Sequence, residues 1–161
     1  IYASEVSAPM VRRLKARGYH AIESFEIKPS LFPHPRDQSS SIEFDCITLL
    51  NVLDRCERPL TMLKDIYRLL RKKPVSSSCL TTGILIVAVV LPFRPFVESG
   101  TQQLAPIERS KLLEKATTFE TSATLIVQEL FEPAGFEVVS FSRVPYLSRG
   151  DLHYSYYVLS D

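Results

Sequence analysis

Residues 44–91 constrain the fold more than any other part of the chain. An apolar run, FDCITLL, meets a polar tip at Asn51 and Asp54, a helix-like segment ERPLTMLKDIYRLL follows, and a second apolar run, GILIVAVVL, closes the unit. Strand, helix and strand in that order predict two parallel strands, because a parallel connection is long and usually helical. Folds of this kind bind ligands beyond the carboxyl ends of their strands. Asn51 and Asp54 fall at such an end, three residues apart.

The same alternation runs through the rest of the chain and predicts an α/β fold with a mainly parallel sheet. A first strand ends at Glu5, after which Ser7 is placed to cap a helix with Pro9 in its first turn. Met10, Val11 and Leu14 recur at helical spacing until Gly18 stops it. Residues 19–27 read as a strand, and 28–41, with Pro29, Pro33 and Pro35, as a loop. Pro59 opens a helix whose apolar stripe is Leu60, Leu63, Ile66, Tyr67 and Leu70, with Lys64, Asp65 and Arg68 facing out and Pro74 at its end. Residues 72–82 are a Ser/Thr-rich loop, and 84–91 a strand buried on both faces. Helices are expected over 110–116 and 122–132, the second stopped by Gly135, and strands over 136–144 and 154–159. Residues 1–161 make one domain's worth of chain.

Composition removes several functional classes. A net charge of +1 gives nucleic acid no electrostatic reason to bind. The clusters Arg12, Arg13, Lys15, Arg17 and Arg68, Arg71, Lys72, Lys73 read as solvated helix faces and helix ends favoured by the macrodipole. Cys46, Cys56 and Cys79 are odd in number and lack C-x-x-C spacing, which argues against a disulfide framework and against zinc. His20, His34 and His153 are scattered and read as structural. The apolar run 84–91 is far shorter than the ~20 residues a membrane span needs.

Four segments carry a family resemblance: IYASEVSAPMVRRL, NVLDRCERPLTMLKDI, LPFRPFVE and AGFEVVSFSRVPYLSRGDLHYSYYVLSD. They resemble the DREV family of protein-histidine methyltransferases. The resemblance implies a Rossmann-like class I methyltransferase sheet with helices on both faces and S-adenosylmethionine as cofactor. It implies methyl transfer to the pros nitrogen of histidine in His-x-His-type motifs of partner proteins. The localisation is left open, with the resemblance suggesting an intracellular protein of the endoplasmic reticulum or mitochondrion, and a monomer is expected. By position it assigns Glu5 to the cofactor ribose, Asn51 and Asp54 to the target ring, and Tyr157, the second Tyr of YYVL, to the active site. The chain departs from the family at the long segments 28–41 and 72–82. It has five glycines and no G-x-G, so the first strand and its Gly-rich turn are expected to be missing and these residues alone to be inactive.

The chemistry is intelligible residue by residue. Glu5, just past a strand end, is able to accept hydrogen bonds from two ribose hydroxyls, or simply to sit near a helix N-terminus. A carboxylate at Asp54 that accepts the N–H of an imidazole fixes its tautomer and stabilises the positive charge that grows on the ring. Asn51 is able to hold either the ring or the cofactor's amino-acid end. Both residues are also ordinary turn formers, and Asp54 is a possible cap for the helix near Pro59. Tyr146, Tyr154, Tyr156 and Tyr157 are placed to close over a peptide or to pack in a strand. Arg94 is a candidate contact for an acidic group. Two other functions stay open: a methyltransferase with another acceptor, and a non-catalytic fragment that only binds proteins.

Overall fold

A computed structural model describes residues 1–34, 37–72, 82–99 and 102–144. Strands β1 (Tyr2–Glu5) and β2 (His20–Glu23) run parallel, joined by helix α1 (Ala8–Ala16), with Tyr2 opposite His20 and Glu5 opposite Glu23. Ser7 occupies the N-cap, a proline stands in the first turn, and Gly18 at φ 84° carries the chain out of the helix, where a side chain would be strained. The Arg12, Arg13, Lys15 and Arg17 cluster is exposed, as a solvated face should be.

Residues 28–41 are not a loop throughout. A 3₁₀ turn at Pro29–Leu31 leads into β3 (Pro33–His34), which pairs antiparallel with β4 (Asp37–Ser41). Proline is tolerated at the first residue of a strand, where its missing N–H breaks no central ladder. Phe32 is buried and lies edge-on to Tyr2 and Phe44 at 6.0 and 5.5 Å, and Tyr2 meets Phe44 at 5.5 Å. These three rings join the first parallel pair to the second.

That second pair is the unit anticipated at 44–91. Strands β5 (Cys46–Leu50) and β6 (Ile84–Ala88) are parallel, with Cys46 opposite Ile84 and Leu50 opposite Ala88, and helix α2 (Pro59–Leu69) lies between them in the chain. Successive strand residues point to opposite faces. Ile47, Leu49, Leu85 and Val87 therefore share one face and pack with Leu53, Leu63, Ile66 and Leu130 in the core. The other face, with Thr48, Leu50, Ile84 and Ile86, is exposed, Ile84 by 62%. The expectations of a strand buried on both faces and of helices on both faces are thus corrected for the described residues. Apolar composition shows what a strand is able to bury, but not which elements lie over it.

Helix α2 corrects two further expectations. It buries Met62, Leu63, Ile66 and Leu69, leaves Tyr67 partly exposed, and also buries Asp65. Arg68 offsets that buried carboxylate from the next turn, with Nη1 at 2.8 Å from Asp65 Oδ1. The helix stops before Pro74 because Leu70 is extended and bridges to Phe44, whose N–H donates to Leu69 O at 2.8 Å. Gly83 then donates to Arg71 O at 2.9 Å and enters β6. A Cβ on Gly83 would lie 2.9 Å from both Arg71 N and Phe44 O, so only glycine lets these backbones meet.

Beyond β6 come an antiparallel hairpin, β7 (Val97–Ser99) and β8 (Gln102–Leu104), and the helices α3 (Lys111–Lys115) and α4 (Phe119–Ile126). Ser110 and Thr118 cap the two helices by accepting from Leu113 N–H and Thr121 N–H, each at 3.2 Å. Helix α4 thus starts earlier than its apolar residues suggest. It continues through a π turn at Val127–Phe131 and a 3₁₀ turn at Glu132–Ala134 to Gly135 at φ 97°. Residues 136–144 form no strand, since their backbone joins no ladder among the described residues, and Val139 is 95% exposed. No helix of the described residues is long and apolar enough to cross a membrane. Most of 72–82, and all of 154–159 with Tyr157, lie outside the described residues.

Three substitutions test this packing by chemical denaturation. Leu63→Ala should cost about 2–5 kcal/mol, the range for a fully buried leucine. Gly83→Ala should cost about 1–3 kcal/mol, because its methyl group forces two backbones apart. Ile84→Thr should stay within about 0.5 kcal/mol of the parent, as surface changes do. An Ile84→Thr loss as large as that of Leu63→Ala would show that the outer face is covered.

Candidate functional site

The carboxyl end of β5 places the polar tip. Asn51 N–H donates to Ala88 O at 2.9 Å, which extends the pairing with β6 by one bond. Asn51 itself has φ 55°, the only described non-glycine residue with positive φ, and this left-handed residue ends the strand. Asparagine tolerates that region better than most side chains. The chain then makes a 3₁₀ turn, Leu53–Arg55, closed by Arg55 N–H to Val52 O at 2.9 Å. Leu53 is fully buried and anchors the turn in the core.

Asp54 follows Leu53 inward and is only 4% exposed. Its Oδ2 pairs with Arg55 Nη1 at 2.9 Å, and its backbone oxygen accepts from Phe96 N–H at 3.0 Å. Its Oδ1 is buried and has no hydrogen-bond partner among the described residues. An unpaired buried acceptor costs about 1–3 kcal/mol, and more when charged, so a fold keeps one where something else satisfies it. Asp54 does not cap α2: the N-cap position is Arg58, and no side chain bonds there. What remains is a buried carboxylate oxygen whose accepting capacity no described residue uses.

The neighbouring thiol offers no competing chemistry. Cys56 is buried, its Sγ donates to Leu53 O at 3.4 Å, and burial, with Glu108 and Asp54 adding to it, pushes its pKa up to about 12. It stays protonated and is no nucleophile at neutral pH. No group of three or more His, Cys, Asp or Glu residues is placed to hold a metal ion among the described residues.

Glu5 stands at the carboxyl end of the other parallel pair. Its Oε1 accepts from Ser7 N–H at 2.9 Å, so it satisfies a backbone donor at the start of α1, and Oε2 has no partner among the described residues. Both roles considered for it are therefore compatible with its position. Glu5 ends β1, whereas Asn51 and Asp54 share the tip of β5. Arg94 is engaged elsewhere, donating to Glu114 O at 3.0 Å and Ala116 O at 2.7 Å, where it closes the end of α3.

Two residues beside Asp54 carried no signal as single letters. Arg55 pairs with the Asp54 carboxylate and lies with its guanidinium carbon 3.8 Å from the centre of the Phe96 ring. The motifs NVLDRC and PFRPF contain them, but only the fold brings them together. A cleft of about 200 Å³ is lined by Pro59, Phe93, Pro95 and Leu113, and not by Asn51 or Asp54. Its carboxylates are already occupied, Glu108 by Thr61, Glu114 by Arg109 and Glu129 by Ser110. The strand tip, with its unpaired Oδ1, is the better candidate site. A family model described as DREV methyltransferase matches residues 1–161 of the chain.

The backbone and side chain of Asn51 are separable. Asn51→Gly should keep the turn, whereas Asn51→Ala should melt lower, at a further cost of about 1–2 kcal/mol for a methyl-bearing residue in the left-handed region. Equal melting temperatures for the two variants would show that the tip relaxes freely.

Proposed function

The chain belongs to the DREV methyltransferase family, and on that premise we propose that it carries the acceptor site of a protein-histidine methyltransferase acting on the pros nitrogen of His-x-His-type motifs. The observation that carries this reading is the buried Asp54 carboxylate, with Oδ1 unpartnered at the carboxyl end of a parallel strand. Residues 1–161 are read as part of one Rossmann-like domain.

S-adenosylmethionine supplies an electrophilic methyl group on a sulfonium. Glu5 fits the ribose of that group through Oε2, with Oε1 already steadied by the start of α1. A Gly-rich turn for the amino-acid end is not part of this sequence, which has no G-x-G. Asp54 acts on the acceptor. Its Oδ1 takes the hydrogen bond of the protonated ring nitrogen and so leaves the lone pair on the other nitrogen. Methyl transfer would form the N–C bond, break the sulfonium S–C bond to leave S-adenosylhomocysteine, and make the ring positive until its N–H proton is lost to solvent; a carboxylate already in place would stabilise that charge without reorganising. Asn51 sits at the turn that sets the direction of this tip, and Tyr157 is proposed to border the same ring. A second acceptor class, any group with an N–H beside its nucleophile, would suit the same oxygen.

Peptide assays separate these readings in the protein that contains the chain. A His-x-His peptide should be methylated, and its counterpart with alanine at both histidines should not. Asp54→Asn should lower turnover by at least ~100-fold, in the range for a positioned polar group, with cofactor affinity little changed. Glu5→Gln should do the reverse, weakening cofactor binding by about 1.5–3 kcal/mol, the worth of a charge-assisted hydrogen bond. Normal turnover by Asp54→Asn would remove Asp54 from the chemistry.

A further inference from the structure

We infer that Arg55, its guanidinium carbon over the Phe96 ring, is a positioning residue that fixes the orientation of the Asp54 carboxylate toward the acceptor; the inference rests on the reading of Asp54 given above. The terminal torsion of an aspartate is broad, so a carboxylate tied only by its stem turns its plane through a wide range. Arg55 Nη1 holds Oδ2 at 2.9 Å and also reaches Asp54 O at 3.2 Å. Oδ1 is thereby left as the carboxylate oxygen without a partner among the described residues.

An arginine on an open surface would hold such a geometry poorly, since its long side chain loses much rotamer freedom in doing so. Arg55 is 39% exposed, yet its guanidinium carbon lies 3.8 Å from the Phe96 centroid. The brace closes on itself, because Phe96 N–H donates to Asp54 O at 3.0 Å. Backbone, ring, guanidinium and carboxylate thus form one loop of contacts, and the segment leading into β7 becomes part of the acceptor site without touching the acceptor. Lysine would keep the charge but lacks the planar guanidinium that lies against the ring.

Steady-state kinetics on a His-x-His peptide, in the protein that contains this chain, test the inference. Arg55→Gln should lower kcat by about tenfold or more, as for a group acting through a catalytic one, with KM for S-adenosylmethionine unchanged. Phe96→Leu, which keeps apolar bulk but removes the ring, should lower kcat severalfold, and Arg55→Lys should fall between Arg55→Gln and the parent. In an Asp54→Asn background, Arg55→Gln should add less than about a twofold further loss, because residues acting as one unit are not additive. Parental turnover by Arg55→Gln, or an equal loss in both backgrounds, overturns the positioning role while leaving Asp54 in place. Parental turnover by Asp54→Asn alone overturns the reading beneath it, and the inference with it.

Discussion

The parallel pairing of β5 with β6, locked by the burial of α2, is the constraint on which the rest of the structure depends. It fixes Leu49 and Val87 on the core face, and it ends β5 where Asn51 N–H meets Ala88 O. Leu53, Leu63 and Ile66, all fully buried, hold the helix and the tip of the strand together. A polar residue carried beyond such an anchor has little freedom of direction. Asp54 is therefore buried because Leu53 is, and its charge is tolerated because Arg55 accompanies it.

That geometry divides the labour at the tip. The left-handed turn at Asn51 aims the chain, the core holds Leu53, and Phe96 holds both the backbone of Asp54 and the guanidinium of Arg55. A carboxylate braced this way is preorganised, so stabilising a developing positive charge requires no rearrangement at the moment of reaction. In the proposed reaction that preorganisation serves a ring that is neutral when it arrives and positive once the methyl group is on it.

The order of strands and helices was legible because it follows from local rules. Proline at Pro59, glycine at Gly18 and Gly135, and runs of apolar residues mark element types and ends without reference to the rest of the chain. Asn51 and Asp54 were legible as a pair for the same reason, since they follow a strand directly. What depended on distant partners was not. The outer face of β6 is apolar but uncovered in the described residues, Asp65 is buried beside Arg68, and 28–41 folds into a hairpin despite its prolines. The Arg55 and Phe96 contact joins segments on either side of α2 and β6, and no local pattern encodes it.

The most direct test is a crystal structure of the protein containing this chain, bound to a His-x-His peptide and S-adenosylhomocysteine. Asp54 Oδ1 should lie at about 2.6–3.2 Å from the tele nitrogen of the target histidine, with the pros nitrogen turned toward the cofactor sulfur. A ring whose N–H is held by another group, with Asp54 Oδ1 more than about 4 Å away and so beyond hydrogen bonding, would contradict the account.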